Sequence, residues 1–259
     1  MDPRDEQYLT QLPAIPLVEV GAAGPVVVAE AQPARLHRIF AEAERHYGGT
    51  VLSTADRLSE YWLARNDNPY REEIDAIATR IGRPGAFMLN LSFEWSCTAG
   101  VGPDPSGNGN RLLRTLDWPL QGLGRNVVVA RYEGEEGAYD SVTWPGFAGV
   151  VTAVAPGRFS AAINQPPMRR WTPSCWLDWG VNRMRMWRED TLPPVHLLRQ
   201  VFDQCRTYVE ARDALSDTLL AMPALFSLSG VTPMNAALSN ARKMRSVSIT
   251  APVRWPITG

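Results

Sequence analysis

The side chains best suited to covalent chemistry are three cysteines, Cys97, Cys175 and Cys205, and three histidines, His37, His46 and His196. The cysteines are odd in number, far apart and form no CxxC pair, which argues against a disulfide framework or a cysteine zinc site. The histidines form no HExxH pattern, and His37 and His196 fall in amphipathic stretches that suit structural or surface roles. Neither metal nor cofactor is expected. A lone cysteine is poor evidence of a thiolate nucleophile. Free cysteine is ordinarily a small buried hydrophobe. Cys97 stands apart by its company. Cys97-Thr98-Ala99-Gly100 opens a strand-like segment, a Gly/Asn/Pro-rich turn spans 102–110, and Arg114-Thr115-Leu116-Asp117-Trp118 follows. A turn of that kind joins adjacent antiparallel strands, which brings Arg114 and Asp117 toward the start of the first. A blander reading stays open at this point. Arg114 and Asp117 also suit a surface ion pair, Trp118 a core position, and Asn164 a turn before Pro166-Pro167.

The elements that must position these residues change character along the chain. Residues 1–20 are Pro-rich and read as an extended arm. Leu36, Ile39, Phe40 and Ala43 recur at helical spacing from Pro33 to Tyr47, where Gly48-Gly49 ends the run. Pro69 suits the first turn of a second helix with a buried stripe of Ile74, Ile77, Ala78 and Ile81, stopped by Gly82 and Pro84. Ala86 to Leu91 fits a short helix or a connector equally. After Cys97 come short β-branched and aromatic segments divided by Gly, Pro and Asp, at 97–101, 111–117, 126–132, 140–144, 148–154 and 158–163. These predict an antiparallel meander. Helical period returns from Pro194 to Leu219, and Phe226 to Val231 reads as a strand. The sum is an α+β protein with helices packed on sheets.

Composition sets the bounds. The 259 residues are 45% apolar and 20% charged with a formal net charge of −1, enough for a sizeable core. That charge balance gives no pull toward nucleic acid or an anionic membrane. No run of apolar residues reaches the length of a spanning helix. Met1-Asp2-Pro3-Arg4-Asp5-Glu6 carries no secretory signal, so a cytoplasmic location is the expectation.

Several stretches, in order, resemble the group of N-terminal-nucleophile hydrolases that contains choloylglycine hydrolase, acid ceramidase and N-acylethanolamine acid amidase. Asn68-Pro69-Tyr70-Arg71-Glu72-Glu73-Ile74 through Gly82-Arg83-Pro84 is similar to the helix before the cleavage site in the ceramidase branch. Leu89-Asn90-Leu91-Ser92-Phe93-Glu94-Trp95-Ser96-Cys97-Thr98 resembles its cleavage junction. Arg114-Thr115-Leu116-Asp117-Trp118 resembles the Arg-x-x-Asp-aromatic motif at the usual distance from the cysteine. Phe147-Ala148-Gly149-Val150 and Pro156-Gly157-Arg158-Phe159-Ser160 resemble a later strand pair that leads to an asparagine, here Asn164. The likeness covers residues 55 to 231.

The resemblance implies a four-layer α-β-β-α sandwich, with residues 1–96 as a mainly helical N-terminal segment or small subunit and 97–259 as the catalytic domain. It implies self-cleavage between Ser96 and Cys97, after which the α-amine of Cys97, with a pKa of about 7.7–8.0, becomes the general base for its own thiol. By the same resemblance Arg114 orients the thiolate and the scissile carbonyl, Asp117 holds the new amine, and Asn164 contributes to the oxyanion hole. The implied reaction is hydrolysis of a linear, non-peptide N-acyl amide through a thioester, and the ceramidase-like junction favours a lipid amide. The partners expected are that small molecule and the chain's own N-terminal fragment, with no nucleic acid.

One departure bears on activity. The family's late Asn motif and late Arg are missing, and the tail 234–259 reads unlike the rest. The hypothesis that would account for it is a reading-frame shift near Pro233. Synonymous codons for Leu238–Val247, read two bases later, give Ile-Glu-Arg-Ala-Glu-Asp-Ala-Phe-Arg, and those for Pro252–Gly259 give Gly-Ala-Val-Ala-Asn-His-Trp in the same frame. The last strands are then expected to be missing. Two alternatives follow: an acyltransferase of the same superfamily, or a catalytically impaired scaffold or binding protein.

Overall fold

The structure is a computed structural model that describes residues 14–91, 96–106, 109–167, 170–232, 235–241 and 247–249. Strand β1 (Leu17–Gly21) is followed by five helices, α1 (Val26–Ala31), α2 (Pro33–Tyr47), α3 (Gly49–Arg65), α4 (Arg71–Ile81) and α5 (Ala86–Leu91). The helix from Pro33 to Tyr47 has the expected bounds and buries Leu36, Ile39, Phe40 and Ala43. In α4, Ile74, Ile77 and Ile81 are buried, and Gly82 closes the helix in the left-handed conformation at φ 66°, where a side chain would be strained. The undecided segment Ala86–Leu91 is helical. Helix α3 was not legible because its apolar residues do not make one stripe. Leu52, Trp62 and Leu63 are buried, while Val51, Leu58 and Tyr61 face outward.

The strands that follow are β2 (Ser96–Pro103), β3 (Asn110–Asp117), β4 (Val128–Gly134), β5 (Gly137–Thr143), β6 (Thr152–Ala155) and β7 (Phe159–Asn164). Then come α6 (Cys175–Trp187), α7 (Pro194–Gln204) and α8 (Tyr208–Asp217), and finally β8 (Ala224–Gly230), β9 (Ala236–Ala241) and β10 (Val247–Ile249). Three details depart from the reading above. The strand expected over 148–154 keeps only its end. The helix expected from Pro194 to Leu219 is two helices, because Thr207 and Glu210 form a reciprocal capping box that starts α8 afresh. Helix α6 was not foreseen, since Leu177 and Met184 lie exposed on it and blur its period.

Two sheets result. The large one runs β1-β4-β5-β6-β7-β8-β9-β10, and β2 and β3 form a separate hairpin. Among the described residues, the named strands pair antiparallel except for β1 with β4. Alternation assigns each face. Tyr132, Tyr139, Phe159 and Phe226 point to the helical side, where Phe202 of α7 meets Tyr139 and Phe159 at ring distances of 5.2 and 5.0 Å. The opposite face of β7 and β8 carries the β2–β3 hairpin. A helical layer, a broad sheet and a second sheet are thus stacked, a mixed α+β architecture. β9 and β10 continue the sheet beyond residue 234, where no strand was expected. Residues 242–246 and 250–259, which include the tail's Pro252–Gly259 stretch, lie outside the described residues.

Polar contacts join the segment before Ser96 to the segment after it. Asn90 donates to the carbonyls of Ala86 and Gly146 (both 2.8 Å) and accepts from the Ala148 amide at 2.7 Å. Asn68 and His196 meet at 3.0 Å, and β1 adds a strand to β4.

Candidate active site

The hairpin register sets the geometry. Cys97 stands opposite Leu116, and Ala99 opposite Arg114, so Cys97 and Arg114 are diagonal neighbours. Arg114, Leu116 and Trp118 are half-buried toward the large sheet, whereas Leu113, Thr115 and Asp117 face outward. Cys97 is half-buried on the inner side with Leu116. Across this diagonal, Arg114 Nη2 donates to Cys97 Sγ at 3.3 Å.

The guanidinium is held from the other sheet. Nη2 also donates to the Ile163 carbonyl at 2.8 Å, and Nη1 donates to Thr152 Oγ1 at 2.9 Å. Burial lowers the proton affinity of Arg114, and its interaction and hydrogen bond with the Cys97 sulfur offset this only in part. Because an arginine does not give up its proton in a protein, the group stays a fixed cation beside the sulfur.

Asn164 follows Ile163 directly and so lies one residue from the carbonyl that anchors Arg114. Its Oδ1 is buried with no hydrogen-bond partner among the described residues. It borders a small cleft with Gln165 and Met222, about 10 Å³ in volume and roughly the room one water needs. Asp117 pairs with Ser96 in the backbone register but is exposed on the outer side of the hairpin. The structure therefore brings Cys97, Arg114 and the Asn164 strand together. Asp117 it places across from the Ser96–Cys97 bond, not beside the thiol. Residues 92–95 of the proposed junction lie outside the described residues.

A groove of about 740 Å³ opens alongside, lined by Arg114, Leu116, Asp117 and Thr152 and walled by Trp118, Leu123, Trp144 and Val151. That volume is in the range of small-molecule sites, and the lining is mostly apolar with a few polar groups. Trp118 meets Trp144 edge-on at 5.1 Å.

The sequence reading did not find Thr152 or the Ile163 carbonyl. A lone threonine in a strand and a backbone oxygen leave no mark in spacing. Of the histidines, His37 is exposed on α2 and His196 is fully buried. Among the described residues no group of three or more His, Cys, Asp or Glu could hold a metal, and no helix is long and apolar enough to cross a membrane.

No protein-family model matches the chain. Among known proteins, the acid ceramidase of Heterocephalus glaber is 24% identical over 202 residues, covering 70% of this chain and 49% of that protein. The acid ceramidase of Bos taurus is 24% identical over 207 residues, with 70% and 49% covered. The N-acylethanolamine-hydrolyzing acid amidase of Caenorhabditis elegans is 24% identical over 193 residues, covering 66% and 52%. A solved structure of the Caenorhabditis elegans N-acylethanolamine-hydrolyzing acid amidase ortholog aligns with 60% of this chain and 62% of its own, at a TM-score of 0.44 and 17% identity. The chain spans about half the length of the relatives it matches. At 24% identity, the chain is similar to acid ceramidases and to an N-acylethanolamine-hydrolyzing acid amidase.

Proposed function

We propose that this chain is a self-processing amide hydrolase whose nucleophile is Cys97. The observation that carries the reading is the 3.3 Å contact to the Cys97 sulfur from the guanidinium of Arg114, a residue that lines an apolar groove. Scission between Ser96 and Cys97 gives the cysteine a free α-amine, a base tethered to its own thiol. The amine takes the thiol proton, and Arg114 stabilises the thiolate. The thiolate attacks the carbonyl of a linear N-acyl amide. Asn164 donates to the developing oxyanion, the amine product departs with a proton, and water releases the acid from the thioester. Asp117, across from Ser96, holds the new ammonium. The proposed substrate is a small N-acyl amide whose chain lies in the groove beside Arg114. The fragments 1–96 and 97–259 remain partners, joined by β1 in the large sheet, by Asn90 and by the Glu73–Arg199 ion pair.

The test is an intact mass and N-terminal determination on purified protein, alongside hydrolysis of a fluorogenic N-acyl aminocoumarin. Two fragments dividing at Ser96/Cys97, and a Cys97→Ala chain that stays whole and inert, are expected. A single uncut chain that hydrolyses the amide equally well with Cys97→Ala overturns the reading.

A further inference from the structure

We propose that Thr152 is a positioning residue of the reaction, one that fixes the Arg114 guanidinium through its hydroxyl oxygen and so holds the Cys97 sulfur in its hydrogen bond. The inference rests on the reading of Cys97 as nucleophile and adds a residue to it.

A guanidinium is a planar fork, so two anchored nitrogens define its orientation. In Arg114 these anchors are Thr152 Oγ1 on Nη1 and the Ile163 carbonyl on Nη2. The third contact is the Cys97 sulfur on the same Nη2. Nε finds no partner among the described residues, so nothing else fixes the plane. The two anchors come from adjacent strands, β6 and β7, whose register sets Thr152 against Ala162, one residue before Ile163. Removing the threonine oxygen leaves only contacts made by Nη2, about which the fork can swing. Nη2 then no longer holds its direction toward the sulfur. The hydroxyl's effect is exerted through Arg114, and its contribution is geometric. Thr152 also borders the groove, which gives a competing role as a contact for the substrate. The two roles separate in kinetics. A groove contact changes KM, whereas loss of Arg114 orientation changes kcat and the ease with which the Cys97 thiol ionises.

The experiment compares wild type, Thr152→Val, Thr152→Ser and Thr152→Ala, each checked for folding by circular dichroism. Two quantities are read: the pH profile of iodoacetamide alkylation of Cys97, followed by mass spectrometry of its peptide, and steady-state hydrolysis of an N-lauroyl aminocoumarin. Thr152→Val is expected to lower kcat about 10- to 100-fold, as for a lost hydrogen bond to a charged group, with KM little changed. It is also expected to move the alkylation profile to higher pH. Thr152→Ser, which keeps the oxygen, restores both. Should the valine variant not fold, the smaller alanine variant carries the comparison. Equal profiles and kcat in wild type and the variants lacking the hydroxyl overturn the role of Thr152, as does a serine variant no better than valine. Failure of the underlying reading looks different. In that case wild-type Cys97 alkylates like an ordinary free thiol, and Cys97→Ala leaves hydrolysis unchanged.

Discussion

Arg199 on α7 grips Glu73 on α4 with two parallel contacts, Nη2 to Oε1 at 2.8 Å and Nη1 to Oε2, across the proposed cleavage point between Ser96 and Cys97. The guanidinium also bonds the Ala148 carbonyl at 2.8 Å and lies 4.3 Å from the Tyr70 ring centre. With Arg199 only 8% exposed, Arg199→Met is expected to cost about 3 kcal/mol, because Glu73 and the nearby Asp203 are left without their cation. Urea unfolding of both proteins measures it. A double variant that also carries Glu73→Gln should regain part of the loss.

His196 makes stability depend on pH. Burial, reinforced by the Arg199 charge, lowers its pKa from 6.5 to about 3. The unfolded chain therefore binds the extra proton between those values and the folded chain does not, so stability falls as pH drops from 6.5 toward 3. The slope contributed by this one group approaches about 1.4 kcal/mol per pH unit at its steepest. Thermal melts of wild type and His196→Asn between pH 7 and about 4 should converge as pH falls, since the variant lacks this proton linkage. Parallel curves would remove the assignment.

At the proposed active site, Arg114→Lys should lower kcat/KM by about 100-fold or more. A lysine keeps the charge but cannot reach Thr152, Ile163 and Cys97 at once as the planar fork does. Iodoacetamide labelling of Cys97 should slow near neutral pH in the same variant, which ties the kinetic loss to the sulfur.

Asn164→Ala tests the oxyanion proposal. Loss of one such donor typically costs about 10²–10³ in kcat. The expected signature is a fall in kcat with KM nearly constant, measured on an N-acyl aminocoumarin. A change confined to KM would make Asn164 a groove residue only.

Asn90 offers a purely structural counterpart. Its amide satisfies three backbone groups at the junction of α5 with the 146–148 loop, all at 2.7–2.8 Å. Asn90→Leu leaves the Gly146 carbonyl and the Ala148 amide without this partner and should destabilise the fold by about 2–4 kcal/mol, read by chemical denaturation.

Much of this was legible from residue patterns, and the exceptions have physical causes. Pro33 to Tyr47 and Ile74 to Ile81 show one buried stripe each between glycine or proline stops, and both helices lie where that pattern puts them. The hairpin of β2 and β3 followed from the Gly-rich turn at 102–110, and with it the closeness of Cys97 and Arg114. Helices α3 and α6 escaped because each exposes large apolar side chains, Tyr61 at 66% and Leu177 at 61%. β9 escaped because Ala236-Ala237-Leu238-Ser239-Asn240-Ala241 has no apolar–polar alternation. Its strand state comes from pairing with β8, a tertiary effect. Thr152 escaped for a related reason. Its link to Arg114 spans 38 residues and depends on how two sheets are stacked.

The placement of Cys97 near the root of its hairpin has a mechanical meaning. Beyond it the rungs continue from Thr98 against Thr115 to Pro103 against Asn110, all on the far side of the Ser96–Cys97 bond. Breaking that bond would convert an amide nitrogen into a basic amine while the ladder kept the newborn chain end moored. Chemistry would be switched on with hardly an atom displaced.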